Sequence, residues 1–147
     1  MESHPLKRFR DVHHRYFGTA LAEVEQGRKT SHWMWFIFPQ LEGLGSSDMA
    51  RRYALRDLNE AGLFLRDEVL GSRLIRISGA LLEIPSKTAH EIFGSPDDLK
   101  LRSSMTLFSM VPGADPVFEA VLARYFVGKK DPITIGLLKK MPFRPAN

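Results

Sequence analysis

The chain has 147 residues, 44% of them hydrophobic and 26% charged with both signs interspersed, which suits one folded domain around one core. It contains no cysteine, which excludes disulfides, thiolate metal sites and cysteine nucleophiles and fits a reducing compartment. The opening MESHPLKRFRDV lacks a signal peptide's apolar core, and no apolar run reaches the roughly 20 residues of a membrane span, so a cytoplasmic protein with no membrane partner is expected.

In chain order, Phe9, Val12, Tyr16, Ala20 and Val24 recur at helical spacing and predict a first helix, closed by Gly27 as a left-handed cap. The stretch HWMWFIFPQ, residues 32 to 40, is apolar on every side between a histidine and a glutamine. As a strand it would need burial on both faces and partners that the chain scarcely offers; as a short central helix, capped by Ser31 and ended by Pro39, it would be buried all round. The helix is the preferred reading. Ser47 then opens a periodic run with Ala54, Leu58, Ala61 and Leu65 on one face, which Asn59 and Gly62 can divide. Leu70, Leu74, Ile77 and Leu81 repeat the pattern up to Pro85.

Further on the start signals are local. Thr88 with Glu91 and Ser95 with Asp98 have capping-box spacing, and Pro96, Pro116 and Pro132 each follow a residue that can cap a helix. With Gly94 and Gly128 as stops, helices are predicted near 89 to 93, 96 to 110, 116 to 127 and 132 to 140. The fold class is mainly α, a single multi-helix domain over residues 1 to 147 built around the aromatic segment.

Two constellations are candidates for chemistry. In the first, His32 and Gln40 tie loops to the core or else rim a pocket in which Trp33 or Trp35 stacks on a flat ligand such as a nucleobase, with Arg28 and Lys29 upstream for phosphate. In the second, GSPDDLKLRSSMTLF, the residues Leu101, Met105 and Phe108 form an apolar stripe bordered by Asp97, Lys100 and Ser104. That border either lines a cleft or serves structure alone, with Asp97 and Asp98 complementing the helix dipole and Lys100 pairing with Asp97.

Other chemistries find no support. His13 and His14 point about 100° apart on a helix and there is no His-x-x-x-His pair, so no metal site is expected; His13 falls on the apolar face as a hydrogen-bonded boundary residue. No P-loop, GxGxxG or G-x-S-x-G motif occurs, and no cofactor is implied. GLGSS, residues 43 to 47, precedes a helix but serves capping first. The net charge of +4 is dispersed in pairs such as Lys7/Arg8, Arg28/Lys29, Arg51/Arg52, Lys129/Lys130 and Lys139/Lys140, which are either solvated faces or a nucleic-acid footprint.

Three stretches, GRKTSHWMWFIFPQLEGLGSS, AGLFLRDEVLGSRL and IFGSPDDLKLRSSMTLFSMV, resemble domain-of-unknown-function family 1810 over about Phe9 to Leu137. The family carries no established activity. The resemblance implies a compact helical domain with one aromatic-rich centre, and its motif residues correspond to Lys29, His32, Trp33, Trp35, Pro39, Gln40, Asp97, Asp98, Lys100, Ser104 and Thr106. His13 departs from the glutamine expected there. A more distant likeness of pattern, an early lysine, an aromatic core segment and a late Phe-Gly, aspartate and helix, is to NADAR proteins, which act on ADP-ribose-type N-glycosides; it carries no residue role across.

The resulting expectation is a small phosphate-containing ligand, nucleotide or ADP-ribose-like, bound between the aromatic segment and the helix beginning at Ser95. A hydrolase would use Asp97, Asp98 and Lys100 for catalysis, with Lys29, His32, Trp33, Trp35, Gln40, Ser104 and Thr106 binding the ligand. The competing expectation is a non-catalytic RNA- or protein-binding module with every aromatic in the core.

Overall fold

The computed structural model describes residues 6 to 141. Among them nine helices occur in the order α1 (Lys7–Glu25), α2 (Met34–Ile37), α3 (Asp48–Arg52), α4 (Leu58–Arg66), α5 (Leu70–Leu82), α6 (Ala89–Phe93), α7 (Asp97–Ser109), α8 (Val117–Phe126) and α9 (Pro132–Lys139). The mainly α expectation is met. The only extended pairing described is an isolated bridge between Leu41 and Leu55.

Helix α5 packs on α1, α4 and α8, and α7 packs on α4, α6, α8 and α9, so α5 and α7 organise the two halves of one core. Leu74, Ile77 and Leu81 of α5 and Leu101, Met105 and Phe108 of α7 are all buried, as their helical spacing requires. A chain of rings crosses this core: Phe9 lies 5.1 Å from Phe64, Phe64 5.5 Å from Phe108, and Phe108 5.6 Å from Phe118. A second group, Trp33, Phe38 and Phe93, has centroid separations of 6.0 to 6.3 Å. The aromatic segment feeds both groups, through Trp33 and Phe38 in the second and through Phe36, which reaches Phe9 by way of Tyr53, in the first.

Local signals explain most helix ends. Thr88 and Glu91 form the reciprocal capping box of α6, Asp131 accepts from Ile133 N and Thr134 N ahead of Pro132, and Ser47 accepts from Ala50 N. Gly27 and Gly94 take positive φ at the ends of α1 and α6. Thr88→Ala is expected to cost about 1 kcal/mol in urea unfolding, since it removes the hydroxyl that accepts from Glu91 N while the residue-88 amide can still donate to Glu91; an unchanged midpoint would show that hydroxyl to be idle.

Three local expectations give way to tertiary partners. The Ser95–Asp98 box does not form: Pro96 stands at the N-cap of α7 without a side-chain bond, and Asp98 Oδ1 accepts from Leu99 N instead. Ser31 does not cap α2, because its hydroxyl donates to Glu23. The run from Ser47 breaks at Tyr53 to Asp57 rather than at Asn59 or Gly62, leaving Ala54 outside any helix. There Leu55 N donates to Gln40 O at 2.9 Å and Glu42 N to Leu55 O at 2.8 Å, while the Arg8 guanidinium binds Arg52 O, Ala54 O and the Glu60 carboxylate. These contacts supply the backbone partners that a continuous helix would otherwise provide. At the α4–α5 corner only glycine fits, because a Cβ on Gly71 would lie 2.0 Å from Leu65 O.

Candidate functional site

The turn that follows α1 is held by one carboxylate. Glu23, buried on the inner face of α1, accepts from Thr30 N at 2.8 Å, Ser31 N at 2.9 Å and Trp33 Nε1 at 3.0 Å, and from the Ser31 hydroxyl. Burial pushes its pKa up, but the bonds from Ser31, Thr30 and Trp33 outweigh burial and bring it down to about 2. A carboxylate that accepts four donors is a charged organiser, and it fixes the backbone on which Lys29 sits. Sequence reasoning passed over Glu23; the available signal was an acidic residue beside Ala20 and Val24 on the apolar stripe of α1.

Lys29 is then pinned from two sides. Its amide donates to Ile92 O in α6 at 2.7 Å, and its ammonium lies 2.8 Å from Asp97 Oδ2 at the start of α7. The Lys29 side chain is only 7% exposed. Its ammonium stands 5.0 Å from the centre of the Trp33 ring, a geometry in which the ring's negative face stabilises the cation. The other oxygen of Asp97 faces Lys100 Nζ at 3.5 Å, and that ammonium lies 5.7 Å from the Trp35 ring. Lys29, Asp97 and Lys100 therefore form a cation–anion–cation relay, with Trp33 at its inner end and Trp35 at its outer end.

The two distant constellations do meet, through Lys29, Trp33 and Trp35 on one side and Asp97 and Lys100 on the other. Two tryptophans separate by exposure. Trp33 is completely buried, packed by Phe38 and Phe93 with its indole N–H held by Glu23, so no ligand reaches its face in this conformation. Trp35 is only partly buried. Asp98 lies beside His90 of α6, with Oδ2 3.5 Å from Nδ1.

The remaining predicted site residues fall elsewhere or stay apart. His32 is exposed, and Gln40 uses its backbone carbonyl to hold Leu55. Among the described residues, neither side chain makes a hydrogen bond or ion pair with Asp97, Asp98 or Lys100. Thr106 lies on the opposite side of α7 from Asp97, fully buried, donating to Arg102 O at 2.8 Å and accepting from Asp131 N at 2.9 Å. Its hydroxyl secures α9. Ser104 continues the Asp97–Lys100 strip one turn further and is completely buried, its hydroxyl without a hydrogen-bond partner.

Surface clefts of about 420, 480 and 430 Å³ are lined by other residues, at Arg10 and Asp67, at Gln26 and Ile84, and at Arg66 and Pro112. No group of three or more His, Cys, Asp or Glu suited to a metal ion occurs among the described residues. Nor is any helix among them long and apolar enough to cross a membrane. Much of the positive charge is already engaged: Lys7 pairs with Asp11, Arg8 with Glu60, Arg10 with Asp67, Arg51 with Asp48 and Lys130 with Glu119.

The chain is similar to a protein of known crystal structure, the conserved hypothetical protein Rv1873 from Mycobacterium tuberculosis, with 45% identity and a TM-score of 0.90 over 92% of this chain and 97% of that one. No curated protein matches it. The match of residues 3–138 to the model of a protein family of unknown function, DUF1810, shows that the chain belongs to the DUF1810 family.

Proposed function

We propose that the outer end of the relay, Trp35 with Lys100, binds a small anionic ligand with a flat ring, of nucleotide or ADP-ribose type. The observation that carries this reading is the difference between the two indoles: Trp33 is sealed, whereas Trp35 keeps part of its surface open beside a 26% exposed lysine. A partly open ring next to a cation offers stacking and charge in one place, which suits a base joined to phosphate. Within the relay itself two ammonium groups share one carboxylate, so Lys100 supplies a positive charge beside the Trp35 ring.

Within this reading the proton-handling role moves from Asp97 to Asp98. Both Asp97 oxygens face ammonium groups, whereas Asp98 stands beside the His90 imidazole, a pairing able to relay a proton to or from water. Binding is the primary assignment, and hydrolysis is its extension.

Tryptophan fluorescence and thermal shift against a panel of mononucleotides, dinucleotides and ADP-ribose test it. A saturable response is expected in the wild-type protein, with at least tenfold weaker binding in Trp35→Leu, on the scale of about 1–3 kcal/mol for one lost stacking platform. Silence across the panel at millimolar ligand would remove the proposal. An RNA-binding surface would instead show affinity that collapses with salt and is indifferent to Trp35→Leu.

A further inference from the structure

We infer that Asp97 is an internal stand-in for the anion of the ligand, seated between Lys29 and Lys100, and that a phosphate or diphosphate group binds by displacing it. This inference rests on the anionic-ligand reading above and adds how the site is opened.

The geometry gives the reason. Two ammonium groups converge on the two oxygens of one carboxylate, at 2.8 and 3.5 Å, the arrangement that a phosphate oxyanion would also satisfy. Lys29 is the better-built half of this cradle, because its backbone is tied to Ile92 O and its turn to Glu23. Yet its side chain is 7% exposed and its ammonium is covered by Asp97, itself 20% exposed. The Asp97 carboxylate thus holds the place beside the Lys29 ammonium that an external anion would take. Asp97 is the first residue of α7 and carries no cap bond there, so its side chain can swing outward without unpairing the helix. A divalent oxyanion carries more charge than the Asp97 carboxylate and so interacts more strongly with the two ammonium groups.

The test is calorimetric titration of wild-type protein and Asp97→Asn with inorganic pyrophosphate, with circular dichroism to confirm folding. Asp97→Asn is expected to bind pyrophosphate at least tenfold more tightly than wild type, and adding Lys100→Met is expected to abolish the gain. In wild-type protein, saturating pyrophosphate is expected to move the Asp97 carboxyl carbon resonance, a readout that stands even where the variant does not fold. Equal or weaker binding by the folded variant, or an unmoved Asp97 resonance with pyrophosphate bound, overturns the stand-in role while leaving the nucleotide response of the wild-type protein intact. Absence of pyrophosphate binding in both proteins also overturns it; only when the nucleotide panel is silent as well does the ligand reading fall with it.

Discussion

Glu23→Ala is expected to lower the free energy of unfolding by roughly 3–5 kcal/mol, because it strips a buried, charge-assisted acceptor from several donors at once. Thr30 N, Ser31 N, the Ser31 hydroxyl and the fully buried Trp33 indole N–H all donate to this carboxylate. Of these, the indole has no route to water, and an unsatisfied buried donor carries its whole desolvation cost. Glu23→Gln keeps the shape: its carbonyl oxygen can take the three N–H donors, and its amide can donate to a rotated Ser31 hydroxyl. That variant is expected to cost only about 1–2 kcal/mol, the difference between charged and neutral hydrogen bonds. Urea unfolding followed by tryptophan emission measures both. A loss under about 1 kcal/mol for alanine would show that the turn is held by packing rather than by the carboxylate. Because the same turn carries Lys29, the alanine variant should also lose ligand response where the glutamine variant retains it.

The second large effect is a dependence of stability on mild acid that originates at His13. The imidazole is 1% exposed and lies in the core between Phe17 and Phe64, with Nε2 2.8 Å from Phe36 O and Nδ1 without a partner. A carbonyl only accepts, so Nε2 carries the proton and Nδ1 is the bare nitrogen. Protonating Nδ1 would place an unpaired N–H and a full charge among hydrocarbon. Burial accordingly lowers the His13 pKa from 6.5 to about 4; the Phe36 carbonyl pulls it up, the Arg73 charge lowers it and the Asp67 charge raises it. The folded value lies below the unfolded one, so the unfolded chain takes up the proton first. Stability from neutral His13 is complete above pH 6.5 and drains away as pH falls towards 4, by roughly 3 kcal/mol in total. Glu23 acts in the same direction at lower pH, since its folded value of about 2 lies below the ordinary 4.5. Measurements at pH 7.5, 6.5 and 5.5, above the range in which the carboxyl groups of the unfolded chain take up protons, therefore isolate His13. His13→Gln, which can still donate to Phe36 O, should flatten the slope over that interval, and an equal slope in both proteins would place the acid sensitivity elsewhere.

How much of this was legible depends on how far apart the interacting groups lie in the chain. The capping box at Thr88 and the Asp131–Pro132 start of α9 were readable because donor and acceptor lie within three residues of each other. The Asp97–Lys100 pair was readable for the same reason. Ser95 and Ser31 look like equally good caps, but Asp98 turns to its neighbour's amide and Ser31 turns to a carboxylate eight residues back in α1. The break before α4 had no local warning, because its backbone is satisfied by Gln40 and by an arginine more than forty residues upstream.

The candidate site divides along the same line. Residue types and spacing named Lys29, Trp35, Asp97 and Lys100, yet could not distinguish the buried Trp33 from the partly buried Trp35 or show that Thr106 holds α9, because burial is a property of the assembled core. His32 and Gln40, prominent as the polar ends of the aromatic run, make no polar side-chain contact with the α7 carboxylates among the described residues.

By itself the sequence determined a mainly α protein with its helix periods, most of its helix ends and its apolar faces, since these follow from contacts within a few residues and from the 3.6-residue repeat. The tertiary structure alone decided that Glu23 is an organiser, that Trp33 is closed while Trp35 is partly buried, and that Asp97 sits between two lysines. Each of those outcomes depends on surface removed from water, or on charges brought within a few ångströms, by segments as far apart as α1 and α7. No pattern within either segment specifies that distance.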